Sequence, residues 1–139
     1  MNGLKDSRTL RVGDVFGGSR KFTLEDVALF CKVTRDRNPL HRDEEFARRS
    51  RFERLIVPGL LVASIFGDVL SDWDLVATEV LIQFVAPVYA DDTVDMTIEI
   101  DKKDGPHLGG KFYCTSQRGQ PVLRGVLKGM SIKSVMREA

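Results

Sequence analysis

Residues 59–70 constrain the fold more strongly than any other part of this chain, because they are apolar almost without interruption. The segment is too long for an ordinary strand, so it predicts a helix that is buried on nearly every side. Its small residues Ala63, Ser64 and Gly67 recur at three- and four-residue intervals, which would let another element approach that face closely. Such a helix must be covered by a sheet or by other helices.

After Trp73 the pattern changes to the two-residue period of strands. The alternating apolar positions are Val80, Ile82, Phe84, Val94, Met96, Ile98 and Ile100. Two more strands are predicted over residues 111–116 and from 121 to about 133, and turn signals separate all four. Because the connections are short, neighbouring strands should be mostly antiparallel. The prediction is therefore an α+β domain in which a curved antiparallel sheet wraps around the buried helix.

The N-terminal half carries a second helix signal. Thr23, followed three residues later by Asp26, is a variant of the capping box with which many helices begin. Apolar residues then recur at helical spacing, so a helix is predicted over residues 24–34. It must end before Pro39, because a proline forces the residue before it out of the helical region. A short strand is predicted ahead of it, over residues 15–22.

Length and charge balance limit the classes of function. A chain of 139 residues, 42% of them hydrophobic, can build one core without disulfides or metals. We therefore predict a loose tail over residues 1–8 and a single domain over residues 9–139. The 21 basic and 20 acidic residues leave a formal charge of +1, so no overall field favours nucleic acid or an anionic membrane as a partner. No metal or cofactor is predicted.

Three features indicate the compartment: the N-terminal residues, the longest apolar run and the two cysteines. Residues 1–13 show no secretory signal, and the longest apolar run, residues 60–66, is too short to span a membrane. Cys31 and Cys114 lie in apolar segments, which is typical of buried thiols in a reducing compartment. We expect a soluble protein that is not secreted, in the cytoplasm of a bacterium or the mitochondrial matrix of a eukaryote.

Three residues in the polar region and at the start of the apolar segment point to chemistry. Asp36 lies just past the predicted helix end and His41 lies beyond a bend fixed by Pro39, so their side chains can converge on one small volume. An aspartate and a histidine around one water can act as a general acid/base pair. Gly59 begins the buried helix, where free backbone N–H groups can stabilise negative charge on an oxygen. Together these groups could polarise a carbonyl and move a proton and a hydroxide next to it.

The same residues carry a family resemblance. Residues 36–41 read Asp-Arg-Asn-Pro-Leu-His, and Ile56-Val57-Pro58-Gly59 follows. From about residue 22 to 132 the sequence resembles the MaoC-like dehydratase family, which includes the (R)-specific enoyl-CoA hydratases and has the hot-dog fold. The resemblance implies that Asp36 and His41 hold the catalytic water and that the Gly59 N–H binds the thioester oxygen. It also implies a homodimer, with acyl-CoA reaching the site along the subunit interface, and a reaction without a cofactor.

Further residues are predicted to bind the substrate. They lie beside the acid/base pair and on the first turns of the buried helix: Asn38, Pro39, Leu60 and Ser64. Ser64 is also expected to bond back to its own helix. A cluster of arginines at positions 42, 48, 49, 51 and 54 is usually just a solvated face, although guanidinium groups suit the phosphates of coenzyme A. His107 is read as a surface residue of a turn.

The leading function is (R)-specific hydration of trans-2-enoyl-CoA to (3R)-3-hydroxyacyl-CoA, or the reverse dehydration. Three positions depart from the family pattern, where Arg35 replaces a glycine, Pro58 a histidine and Gly67, in some members, a hydroxyl side chain. Arg35 and Pro58 keep open a non-catalytic subunit that only binds acyl thioesters. Less favoured alternatives are a dehydratase of acyl carrier protein thioesters and a thioesterase, for which Asp68 is the only acid on the helix.

Overall fold

The computed structural model describes residues 3–137 and contains one five-stranded antiparallel sheet. The strands are β1 (Val15–Lys21), β2 (Leu75–Phe84), β3 (Thr93–Asp104), β4 (His107–Ser116) and β5 (Pro121–Ser131). Their order across the sheet is β1-β3-β4-β5-β2, so β2 pairs with β5 rather than with its sequence neighbour β3. The predicted antiparallel arrangement is confirmed, and β1 and β2 form the two edges.

Five short helices complete the described chain. They are α1 (Leu24–Thr34), α2 (Pro39–Arg42), α3 (Glu44–Arg48), α4 (Gly59–Ala63) and α5 (Ile65–Leu70). Short 3₁₀ turns at Ser7–Thr9 and Ile132–Ser134 flank the sheet. None of the helices in residues 3–137 has the length and apolar character needed to cross a bilayer.

The apolar segment is helical as predicted, but it is divided at Ser64. The Ser64 N–H donates to the carbonyl oxygens of both Leu60 and Leu61, and its hydroxyl donates to Leu61 as well, so the helix tightens there. Burial is also less complete than predicted. Residues Leu61, Val62, Ala63 and Ile65 are buried, whereas a stripe on the other face of the helix, containing Leu60, Ser64, Gly67 and Asp68, is exposed.

The core lies between this central helix and the concave face of the sheet. Side chains alternate along β3, and Val94, Met96, Ile98 and Ile100 all point inward and are at most 2% exposed. Strand β4 begins at His107, four residues earlier than predicted, because its glycine-containing start still pairs with both β3 and β5. His107 itself is exposed, as expected.

The predicted loose tail is wrong from Lys5 onward. Ser7 is fully buried, and its backbone N–H donates to the Asp74 carboxylate, which is itself 1% exposed. The Ser131 hydroxyl donates to the other carboxylate oxygen of Asp74. Asp74 thereby ties the start of the chain to the end of β5, and a pairing between residues distant in sequence cannot be read from the tail alone. Met1 and Asn2 lie outside the described residues.

Candidate active site

The loop after α1 aims the carboxylate of Asp36. The capping box at Thr23 and Asp26 starts this helix as predicted, and Arg35 ends it in the left-handed conformation, with φ of 60°. One carboxylate oxygen of Asp36, Oδ1, accepts a hydrogen bond from the backbone N–H of Asn38 at 2.9 Å. This local turn fixes the carboxylate, so the second oxygen, Oδ2, is free to face the site.

The next two residues start the short helix that carries the histidine. The Asn38 side chain accepts from the Leu40 N–H at 3.0 Å and caps α2, and Pro39 occupies the first helical position, where its missing N–H costs nothing. His41 follows one turn later and is only 8% exposed. The spacing of Asp36, Asn38, Pro39 and His41 thus has a local cause, since each residue sets the backbone for the next.

Ile56 orients the imidazole ring from a distant part of the chain. The Nδ1 atom of His41 lies 2.8 Å from the carbonyl oxygen of Ile56, and the Ile56 N–H donates to the carbonyl of Leu40. A carbonyl oxygen can only accept, so Nδ1 carries the proton in this contact. In the neutral ring Nε2 is then unprotonated and can serve as a base.

The two functional atoms face each other across a short gap. His41 Nε2 lies 3.9 Å from Asp36 Oδ2, which is too long for a direct hydrogen bond but short enough for both atoms to bond one water molecule. The side chain of His41 is 9% exposed and that of Asp36 is 33% exposed, so the pair lies at the wall of a cleft rather than in the core. The sequence prediction that these side chains converge is consistent with this geometry.

A cleft of about 430 Å³ opens in front of the pair. Its mouth contains the exposed residues Arg51, Leu60 and Phe84. Its inner end is apolar and lined by residues that are at most 3% exposed: Val57, Val62, Val88, Val122 and Leu123. An acyl chain could therefore be desolvated at the inner end while a polar carrier remains at the mouth.

Gly59 lies in the wall of this cleft at the start of α4. The preceding segment is tied to the connection between β2 and β3, because the Val57 N–H donates to the Val88 carbonyl at 2.7 Å. Pro58 is the N-cap of α4, so Gly59 supplies one of the first N–H groups, which have no acceptor within the helix. A side chain here would displace Phe84, since a Cβ atom would lie 2.5 Å from Cε1 of its ring.

The predicted binding residues divide into two groups. Leu60 lines the cleft with Asp36, His41 and Gly59, but the lining found within residues 3–137 does not include Asn38, Pro39 or Ser64. Asn38 and Pro39 instead form the start of α2, and the Ser64 hydroxyl donates to its own helix as expected. Of the five arginines in the predicted cluster, Arg51 is the one that reaches the cleft. Asp68, the acid of the thioesterase alternative, is exposed on the far part of the helix.

A supporting cluster behind the cleft was not predicted from the sequence. Asp92, which directly precedes β3, is 4% exposed and accepts two N–H groups of Arg118 at 2.7 and 2.8 Å. Burial raises the pKa of Asp92, but the hydrogen bonds from Arg118, Tyr89 and Gln117 outweigh it and lower the pKa to about 2. The Arg54 guanidinium lies 3.8 Å from the ring centre of Tyr89, which forms a bridge with Ile56. The cluster therefore holds Tyr89, whose bridge with Ile56 supports the segment that orients His41.

Curated proteins with similar sequences are hydratases and dehydratases. A mitochondrial 3-hydroxyacyl-[acyl-carrier-protein] dehydratase of Arabidopsis thaliana is 39% identical over 61% of this chain and 52% of its own length. An (R)-specific enoyl-CoA hydratase of Aeromonas caviae is 35% identical over 68% of this chain and 73% of its own length. The chain thus spans about half the length of the plant protein it matches.

Comparison with solved structures identifies the fold of this chain. A solved structure described as the (R)-hydratase from A. caviae involved in PHA biosynthesis superposes with a TM-score of 0.84 and 29% identity, covering 89% of this chain and 98% of that chain. The hot-dog fold expected from the sequence is therefore confirmed. The model of the MaoC like domain matches residues 11–109, well over half of the sequence. Because the family model matches most of the sequence and the fold agrees, the chain belongs to the MaoC-like domain family.

Proposed function

We propose that the chain adds water to trans-2-enoyl thioesters to give (3R)-3-hydroxyacyl thioesters, and that it catalyses the reverse dehydration. The observation that carries this proposal is the arrangement of His41 Nε2 and Asp36 Oδ2, which lie 3.9 Å apart on the wall of a cleft with an apolar inner end. Two groups at this spacing can hold and activate one water. The names of the relatives support the reaction class and the (R) configuration.

The residues of this chain can account for each step of the addition. The acid/base pair accepts a proton from the bound water as its oxygen bonds to C3 of the enoyl group. The π electrons of the C2–C3 bond shift toward the thioester carbonyl, and the negative charge that develops on its oxygen is stabilised by the Gly59 N–H. The pair then returns a proton to C2. No proton or electron remains to be supplied, so the reaction needs no cofactor.

Loss of crotonyl-CoA absorbance with the purified protein, followed by chiral analysis of the product, tests the reaction and its stereochemistry. Asp36→Asn and His41→Ala should each lower kcat by roughly two to four orders of magnitude, the range of general acid/base catalysis, with the fold intact. If both folded variants turned over at near-parental rates, the assignment of the pair would be wrong.

The chain offers a matched control for each variant. His107 is the second of the two histidines and is exposed at the start of β4, so His107→Ala should leave kcat unchanged. Asp68→Asn removes the acid that a thioesterase of this fold would use. Release of free CoA by the wild type, abolished in Asp68→Asn, would instead favour hydrolysis. Acyl-CoA binding without turnover would favour the non-catalytic alternative.

We further propose a homodimer formed along the β2 edge. Within residues 3–137, strand β2 pairs with β5 alone, so its outer edge is open there. The nearby side chains of Leu81, Phe84 and Val85 are 61%, 55% and 47% exposed. Leu60 on the central helix is 62% exposed, and both Leu60 and Phe84 stand at the cleft mouth. A second copy covering them would form one wall of the mouth, along which the acyl-CoA could reach the cleft. Sedimentation that showed only a 15.6 kDa species at micromolar concentration would exclude the dimer.

A further inference from the structure

A second cavity of about 330 Å³ lies between α5 and the concave face of the sheet. Its lining is almost entirely apolar and includes Leu70, Leu75, Ile100, Leu108 and Leu127. Within residues 3–137, no residue lines both this cavity and the catalytic cleft. The cleft and the second cavity are therefore separate, and side chains must fill the space between them.

The central helix locates the boundary. Val62 lines the catalytic cleft, and Leu70 lines the second cavity two turns later. Phe66 lies midway between them in the sequence, just past the division of the helix at Ser64, and it lines the second cavity but not the cleft. Phe66 is partly buried and packs against the core.

Strand β5 gives the same boundary from the sheet side. Leu123 lines the catalytic cleft and Leu127 lines the second cavity, and both point to the concave face. Gly125 lies between them on that face and is paired with Phe112 of β4. A Cβ atom at Gly125 would collide with the carbonyl oxygen of Leu81 in β2 and with the ring of Phe112, so only glycine leaves room for that ring.

Phe66 and Phe112 meet at this boundary. Their ring centres are 6.2 Å apart with an interplanar angle of 32°, and Phe112 is fully buried. Val80 and Ile82 of β2 pack against the same core. We call the two rings the aromatic partition.

We propose that the aromatic partition ends the acyl site and restricts this chain to short 2-enoyl thioesters, with crotonyl and hexenoyl groups preferred over octenoyl and decenoyl groups. The inference rests on the proposed function, because it takes the cleft as the place where the acyl chain binds. The inner end of the cleft accepts the first carbons beyond the double bond. Longer chains meet the rings and must leave their last methylenes in water, where they gain no affinity.

Two measurements on one set of variants test the proposal. Affinity for the saturated thioesters butyryl-, hexanoyl-, octanoyl- and decanoyl-CoA reports chain burial without turnover, and hydration of the matching 2-enoyl-CoAs reports kcat/KM. For the wild type, affinity should rise about fourfold per methylene as far as hexanoyl and then stop rising. In Phe66→Ala, which joins the two spaces, the rise should continue to decanoyl. The kcat/KM ratio of decenoyl to crotonyl should increase by about tenfold or more, since at least two further methylenes are buried.

Phe112→Leu is a second test of the partition, because it keeps an apolar side chain at the buried position. It should extend the chain-length profile as Phe66→Ala does. If Phe112→Leu does not fold, Phe66→Ala alone decides. Leu108→Ala is the matched control, because Leu108 lines the second cavity without reaching the boundary. It should leave the chain-length profile of the wild type unchanged.

Four results would overturn the partition. The affinity of the wild type could rise steadily to decanoyl-CoA, or a folded Phe66→Ala protein could keep the wild-type profile. Leu108→Ala could shift the profile as much as Phe66→Ala, or the protein could bind no acyl-CoA at all. Failure of the proposed function has a different signature. In that case the affinity profiles would follow the expectation, but no enoyl-CoA would be hydrated.

Discussion

Replacement of Gly59 tests the carbonyl site without removing a side chain. Gly59 has no positive φ, so an alanine or valine fits the backbone, and the consequences are steric. The new Cβ would lie 2.5 to 3.1 Å from three atoms of the Phe84 ring, whereas carbon atoms pack best at roughly 3.5 to 4.0 Å. The ring must therefore retreat by about 1 Å. Phe84 is 55% exposed and can turn toward solvent, so the fold should survive.

The expected effect on activity is large if the Gly59 N–H binds the thioester oxygen. A branched side chain at position 59 would stand where the carbonyl must approach, and loss of one such donor costs about 3 kcal/mol of barrier, or roughly a hundredfold to a thousandfold in rate. Thermal melting and kcat/KM for crotonyl-CoA are measured on the same samples of Gly59→Ala and Gly59→Val. We expect folded proteins in which activity falls further for valine than for alanine.

Two controls separate the possible causes of a loss. In Gly59→Ala combined with Phe84→Ala, activity should stay low if the carbonyl site is blocked, and should return if the displaced ring was responsible. Gly67→Ala places a methyl group on the same central helix with nothing within 4 Å, so it should raise stability by about 1 kcal/mol and keep activity. A well-folded Gly59→Val protein with near-normal kcat/KM would refute the carbonyl site, even if the acid/base pair proved essential.

Three further predictions follow from the structure. Arg35→Gly should raise the free energy of unfolding in urea by roughly 0.5 to 1 kcal/mol, because Arg35 holds a left-handed conformation that glycine adopts without strain; an unchanged or lowered value would contradict this. Arg51→Gln should raise KM for acyl-CoA by about tenfold, leave kcat unchanged and weaken the salt dependence of KM, whereas Arg49→Gln should do neither, if Arg51 contacts a phosphate. The folded-state pKa of Asp92 is lowered from 3.8 to about 2, so its stabilisation is present above pH 3.8 and is lost as pH falls through about 2. Asp92→Asn should therefore lower stability at pH 7 by about 2 kcal/mol and flatten its acid dependence, which denaturation at a series of pH values would measure.

The sequence alone determined the features that depend on neighbouring residues. The capping box at Thr23 and Asp26 and the cap at Asn38-Pro39 are satisfied within a few residues, so their patterns predicted the ends of α1 and the bend that carries His41. The alternation of β3 follows from one wet and one buried face of a strand. The candidate acid/base pair belongs here too, because Asp36 and His41 are five residues apart on a loop and the short helix that follows it.

Tertiary structure decided whatever joins distant parts of the chain. The sequence does not state that β2 pairs with β5, so it could not predict which edge stays open. The Ile56 carbonyl that selects the tautomer of His41 lies fifteen residues away, and the groups that bond to the Asp92 carboxylate come from Arg118 and Gln117 in the turn after β4. Gly125 faces Phe112 only in one strand register, and a shift by one residue would turn the glycine to the other face. Register and strand order depend on how much apolar surface the whole core buries. A local sequence pattern does not contain that information.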